Sequence, residues 1–378
     1  MAITNLGFPS GSPSVQDTLW HIFDSDVTNT DLKYVMDLFV GGVQQVRVKL
    51  YPEPINGRGY FDAGPIVRNT MTYNWLTPKE ELLVCVPNVS GEVAQTYQYR
   101  IGEETGGVTT LNLASGNVTA YNFNAPLFKR KVSDLSAYNG KALSNRPSSI
   151  DLSLTDNLYI GGKDISGVTV ATYNESNALV TSASLSLSGL RAFAQLNIGP
   201  NAINTTYGSA LINSSTKFYL VTIGTSVFRI NVVCNPKYES YNLHFLNNLG
   251  MFDTAVFDLA SRLTMDVQRK GFEKRDYTLG ASSVNYFDAN KKYVDSKVNY
   301  LNIKDHAYKL TMNAPTDVEY EWLSELIASP QVYFELDGYY YPVSIKTNSY
   351  EYSKYVNNRL KVFEVEVDLN QTRYSQLR

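Results

Sequence analysis

The sequence predicts a mainly β protein: a multi-domain β-sandwich architecture, immunoglobulin-like, with a few short helices and one of them packed on a C-terminal sheet. Three observations carry this expectation. First, short runs rich in Val, Ile, Tyr and Phe recur between residues 150 and 236 at a spacing of about ten residues, punctuated by Asn, Gly and Ser. That rhythm is how a sandwich of antiparallel strands reads. Second, Asp337-Gly338 stands between Val332-Tyr333-Phe334-Glu335-Leu336 and Tyr339-Tyr340-Tyr341. Asp-Gly between β-prone runs predicts a two-residue hairpin, because a type I′ turn needs φ > 0 at both central positions. Third, Phe363, Val365, Val367 and Leu369 alternate with Glu364, Glu366 and Asp368, the period-2 pattern of a half-buried strand.

Taken in chain order, residues 1–14 are polar and turn-prone (Gly7, Pro9, Gly11, Pro13) and read as an arm, either flexible or docked on a neighbouring subunit. A strand is expected over 15–23. Runs 32–40 and 43–50 flank Gly41-Gly42 and form a second hairpin signal. Pro65 marks the start of a short helix within 62–73. Strands are expected at 81–87 and 94–101, with a loose turn over 102–107. Lys129-Arg130-Lys131 opens a polar stretch to 147 that reads as a solvated linker or as a contact with nucleic acid or an acidic partner. Further strands fall at 150–154, 168–173, 192–198, 218–223 and 227–233. Residues 238–257 read as strand, tight turn at 247–250, strand. Residues 269–277 are charged and expected to be exposed, and 294–303 and 306–312 lead into the C-terminal block. There Thr316 and Glu319 stand at capping-box spacing. Val318, Trp322, Leu323, Leu326 and Ile327 recur at helical spacing, and Pro330 ends the helix, predicted over 316–328. These segments group into three expected domains: 1–130 with its arm, an immunoglobulin-like sandwich over 131–240, and a C-terminal β domain over 241–378.

Composition narrows the function classes. With 43% hydrophobic and 18% charged residues, 378 residues suffice for large cores. A net charge of −3 argues against binding driven by phosphate neutralisation, so no sequence-specific nucleic-acid partner is expected. No apolar run is long enough to span a bilayer, and the first residues carry no basic and apolar leader pattern. Cys85 and Cys234 read as two buried thiols. Tyrosine is the outlier, with 28 copies against 3 tryptophans. A single Tyr fits a pleated strand, whereas a consecutive trio must populate both faces and reads as contact surface. The candidate interface residues are therefore Tyr339, Tyr340 and Tyr341, with Tyr350 and Tyr352 just beyond.

Patterns of catalytic chemistry are missing from the sequence. His21, His244 and His306 fit no metal-ligand spacing, and no nucleophile elbow, phosphate loop, dinucleotide fingerprint or calcium loop occurs. Gly57-Arg58-Gly59 lacks the third glycine and the lysine of a phosphate loop. No catalytic residue, cofactor or metal is expected.

Several stretches resemble structural proteins of tailed bacteriophages that infect Bacteroidetes hosts, the crAss-like phages among them. They are Leu32-Lys33-Tyr34-Val35-Met36-Asp37, Lys49-Leu50-Tyr51-Pro52-Glu53-Pro54, Gly59-Tyr60-Phe61-Asp62, Phe245-Leu246-Asn247-Asn248-Leu249-Gly250-Met251-Phe252-Asp253, Ser329-Pro330 and Tyr341-Pro342-Val343. The resemblance implies a virion component of the tail, ring or baseplate region, made in the bacterial host cytoplasm, with copies of itself in a ring and other phage tail proteins as partners. The competing expectation is a host-surface or glycan-binding module, in which exposed Tyr and Trp would stack on sugar faces. A β-rich hydrolase is a third.

Overall fold

Among the described residues of the computed structural model strand outweighs helix by 56% to 10%, and the sheets are largely antiparallel, as the strand spacing predicts. The structure describes residues 3–29, 31–72, 83–85, 93–123, 135–233, 237–287, 290–314, 316–347, 361–370 and 373–374. The chain divides into two compact units. Unit 1 holds 1–236, 244–255 and 328–330, and unit 2 holds 237–243, 256–327 and 331–378.

Unit 1 begins with β1 (Ile3–Gly7), β2 (Trp20–Ser25), β3 (Lys33–Val40), β4 (Val43–Leu50), β5 (Gly59–Asp62), α1 (Gly64–Asn69), β6 (Leu83–Cys85), β7 (Ala94–Thr105) and β8 (Val108–Tyr121). A three-stranded sheet, β1-β2-β5, faces a four-stranded one, β4-β3-β7-β8. Their facing side chains make one core: Phe23 and Phe61 from the first, Tyr34, Met36, Leu38, Tyr97 and Ile101 from the second. Alternation in β3 and β7 delivers these residues to a single side. The segment 1–14 is corrected by this arrangement. It is no free arm, because Ile3–Asn5 pair with Ser25–Phe23, and the side-chain amide of Asn5 bonds the Tyr99 hydroxyl at 2.8 Å. The strand expected from residue 15 starts only at Trp20. Before it, the Asp62 carboxylate accepts from the backbone N–H of both Leu19 and Gly64 at 2.9 Å and holds the chain in a tight bend. The turn expected over 102–107 is likewise confined to Gly106-Gly107. Gly102 lies inside β7, where an added Cβ would sit 2.1 Å from the Thr110 carbonyl oxygen, so this glycine serves close approach between strands.

The rest of unit 1 adds β9 (Lys141–Leu143), β10 (Ser149–Ser153), β11 (Tyr159–Tyr173), β12 (Leu179–Asn197), α2 (Pro200–Tyr207), β13 (Phe218–Ile223) and β14 (Ser226–Val233). They form a sheet in the order β10-β14-β13-β11-β12-β6, with β9 on β11 and β10 parallel to β14. The expected boundary at 130/131 falls within this unit. β6 hydrogen-bonds β12, and Val93 and Phe123 share a core with Leu135, Leu143, Phe193, Leu249 and Met251. The tight turn at 247–250 is present and is organised by one side chain. Asn247 Oδ1 accepts from the N–H of Leu249 (3.0 Å) and Met251 (3.1 Å), while its Nδ2 donates to the Leu143 carbonyl.

Unit 2 takes the base of the hairpin β15 (Tyr241–Leu246) and β16 (Phe252–Phe257), then β17 (Arg262–Glu273), β18 (Thr278–Leu279), β19 (Val284–Asn285), β20 (Lys297–Ala314), α3 (Asp317–Ala328), β21 (Val332–Leu336), β22 (Tyr339–Ile345), β23 (Lys361–Asp368) and β24 (Arg373–Tyr374). The sheet order is β16-β15-β21-β22-β23-β20-β17. The capping box is formed: Glu319 N–H donates to Thr316 Oγ1 at 3.1 Å, and Thr316 N–H to Glu319 Oε2 at 3.2 Å. Trp322, Leu323 and Leu326 are buried, and Tyr320 meets Phe363 edge-on. Val318, expected on the apolar stripe, is instead 57% exposed, so the buried stripe is narrower than the sequence pattern suggests. Phe363, Val365 and Val367 face the core, while Glu364 and Glu366 pair with Lys309 and Lys346. Asp337 and Gly338 adopt φ of 52° and 76°, the positive angles that the Asp-Gly signal demands.

Candidate assembly surface

Two features of unit 2 present side chains outward. The first is the tyrosine hairpin. The register sets Tyr341 against Phe334, Tyr340 against Glu335 and Tyr339 against Leu336. Neighbouring tyrosines therefore emerge on opposite faces. Tyr341 lies beside buried Phe334 and is half-buried. Tyr340 is on the other face, with its hydroxyl 3.4 Å from Glu335 Oε1. Tyr339, at the hairpin end, is 67% exposed. Tyr350 and Tyr352 lie outside the described residues.

The second feature takes in the charged run 269–277, whose residues are exposed as expected apart from half-buried Tyr277, and sets it on a strand pair that was not expected. β17 and β20 pair from Arg262↔Lys309 to Glu273↔Lys297, at the edge of the sheet where they begin and as a two-stranded ribbon at the outer end. Among the described residues β23 pairs β20 over Ala307–Ala314 and β24 adds Ile303 and Lys304, and the β17–β20 pair runs on beyond them. β17 is the last strand of the order. Leu263, Met265 and Val267 share one face with Tyr308, His306 and Lys304. Two residues further along β20, on that same face, Leu310 is fully buried. The apolar face of the core thus continues outward, with Leu263 57% and Met265 54% exposed. Farther out, Phe272 and Tyr300 are exposed with ring centroids 6.4 Å apart, and Phe287 and Tyr293 make an edge-on pair at 5.2 Å. The signal was present: Leu263, Met265 and Val267 alternate with Arg262, Thr264, Asp266 and Gln268.

At the ribbon's base lies an aromatic cluster. Phe334 is within 5.7 Å of Tyr241 and 4.9 Å of Tyr308, centroid to centroid, and the two tyrosines are 5.8 Å apart. Glu239 and Asp337 are exposed at its rim, and Glu239 accepts the Tyr241 hydroxyl at 3.0 Å. Burial first, then Glu239, push the Tyr241 hydroxyl up to about 12. Burial together with Asp337 and Glu239 raises Tyr308.

Two of the three histidines are buried. His21 is buried among Phe23, Tyr97 and Tyr99, its Nε2 2.9 Å from the Tyr97 hydroxyl; burial lowers it to about 4. His244 lies against Tyr159 with Nδ1 2.9 Å from Thr254 Oγ1. Among the described residues no group of three or more His, Cys, Asp or Glu side chains could hold a metal ion, and no helix is long and apolar enough to cross a membrane. Cys85 lies in β6, and Cys234 is outside the described residues.

No protein-family model matches the chain, and no curated protein matches it. Among solved structures, a crystal structure of a mutant Salmonella alpha-2-macroglobulin aligns over 97% of this chain and 27% of its own length, at 7% identity and a TM-score of 0.15. Similarity at that level carries no argument about fold or function.

Proposed function

We propose that this chain is a structural component of a bacteriophage virion, in the tail, ring or baseplate region, where copies assemble into a symmetric ring or tube. The observation that carries the assembly reading is the β17–β20 ribbon. A two-stranded ribbon in water is marginal by itself, and this one, with the edge of β17 that leads into it and the connection that joins its strands, bears exposed Leu263, Met265, Phe272, Tyr300, Phe287 and Tyr293. Apolar side chains collected on a projecting element fit a contact surface better than a solvated one. The phage assignment is supported by the stretches quoted above, which include the Asn247 turn and β5. Neighbouring tail proteins are the further partners of this proposal, and it assigns the chain no reaction.

Sedimentation velocity and electron microscopy of the purified chain test the reading. The expected result is particles many times the 42.3 kDa chain mass with rotational symmetry. A single-copy mass at every concentration up to the solubility limit overturns it. Mass spectrometry of purified virions tests the location: the chain is expected as a multi-copy component, and its absence from the particle sinks the phage assignment.

A further inference from the structure

The ribbon and the block that follows it carry opposite charge. Residues 262–305 hold nine Lys and Arg against six Asp and Glu, a net of +3 in a chain whose total is −3. Residues 315–345 hold six Asp and Glu and no Lys or Arg. On the ribbon, Arg269, Lys270 and Lys274 are exposed and form no ion pair among the described residues; the Lys297–Glu273 pair alongside is fully solvated. On the acidic side, Glu239 and Asp337 rim the Tyr241–Tyr308–Phe334 cluster, with Tyr339 exposed next to them.

The two surfaces cannot meet within one copy. The register places Tyr308, at the acidic patch, opposite Leu263. Lys274 lies eleven residues further out, about 35 Å along a strand at ~3.3 Å per residue. A paired ribbon does not fold back over that distance. Strand addition at the free edge of β17 is also disfavoured: Arg269 and Lys270 sit on it, and the register shifts at Lys270/Gly271, both devices that protect an edge from pairing. Docking through side chains remains.

We propose that the ribbon tip of one copy, through Arg269, Lys270 and Lys274, docks on the acidic, tyrosine-lined patch around Glu239 and Asp337 of a second copy of this chain. Lys and Arg meet carboxylates at the rim and aromatic faces within it, so charge and cation–π attraction act together. The contact is head-to-tail, with different surfaces on each side, and such contacts generate rings where the rotation closes and filaments where it does not. This inference rests on the assembly reading above and specifies its interface.

Three variants of the full chain test it by sedimentation velocity: Arg269→Glu/Lys270→Glu/Lys274→Glu, Glu239→Lys/Asp337→Asn (Asn keeps the positive φ of the turn), and all five changes together. All five residues are exposed, and far-UV circular dichroism checks each fold. Each separate reversal is expected to weaken association at least about tenfold, and the five-fold variant to regain it, because the swapped charges again attract. Wild-type association is expected to weaken as salt rises. Wild-type assembly that neither reversal disturbs overturns the ribbon–patch contact and leaves the ring reading standing. A folded five-fold variant that stays dissociated also overturns it. A wild-type chain that never leaves the single-copy state removes both. A second measurement covers variants that fail to fold: mixed Lys274→Cys and Glu239→Cys chains are expected to give an oxidised dimer that neither gives alone, and absence of that dimer from an assembled mixture overturns the contact.

Discussion

At the residue scale, His21 shows how burial turns one side chain into a pH sensor of stability. Its imidazole is enclosed by Phe23, Tyr97 and Tyr99, and Nδ1 has no hydrogen-bond partner. The folded chain therefore disfavours the charged form, lowering it from 6.5 to about 4. The unfolded chain binds more protons between those values, so stability is fully present above pH 6.5 and is lost as pH falls towards 4. One pKa unit is about 1.36 kcal/mol, so the loss amounts to about 3 kcal/mol. Urea unfolding of unit 1 at pH 7 and pH 4.5 is expected to show this loss, and His21→Gln, less stable overall, is expected to lose that part of the slope. A slope that survives the substitution assigns the effect elsewhere. Glu104, held down to about 2 by Lys49 and Thr109, loses its contribution only below pH 4.5 and does not overlap most of this window. Gly102 offers a steric test at the same scale. Gly102→Ala forces a Cβ against the Thr110 carbonyl and is expected to cost about 1–3 kcal/mol. An unchanged unfolding midpoint would mean that β7 and β8 do not approach there as described.

At the element scale, α3 separates local from tertiary contributions. Thr316→Ala removes the reciprocal cap and is expected to cost about 1 kcal/mol. Trp322→Ala removes a buried indole and is expected to destabilise unit 2 by about 3–5 kcal/mol. Chemical denaturation followed by tyrosine fluorescence ranks the two. Equal effects would mean the helix is held by its cap rather than by the sheet beneath it. Val318 shows why periodicity overreaches. It has the spacing of the stripe but stands in the first turn, beyond the reach of the sheet that buries Trp322, Leu323 and Leu326. The ribbon shows the converse: Leu263, Met265 and Val267 have the alternation of a half-buried strand, yet Leu263 and Met265 are more than half exposed.

At the scale of the molecule, the first residues belong to unit 1. Deleting residues 1–7 strips β1 from β2 and removes Ile3 from the core. Thermal unfolding of unit 1 is expected to shift downward; an unchanged transition would return this segment to the role of a dispensable arm.

How much of this was legible depends on the range of the interaction. The capping box, the Asp337-Gly338 turn, the alternation of Phe363, Val365 and Val367 and the mainly β class are local, and the sequence by itself determined them, because each arises from residues within a few positions of one another. The tertiary structure alone decided the pairing of β6 with β12, the capture of Leu19 by Asp62 and the place of Gly102 inside a strand, because each needs partners distant in sequence or a carbonyl across the sheet. It also decided which apolar face stays open. Leu263 and Leu310 look alike in sequence, and only the lateral extent of the covering elements buries one and leaves the other in water.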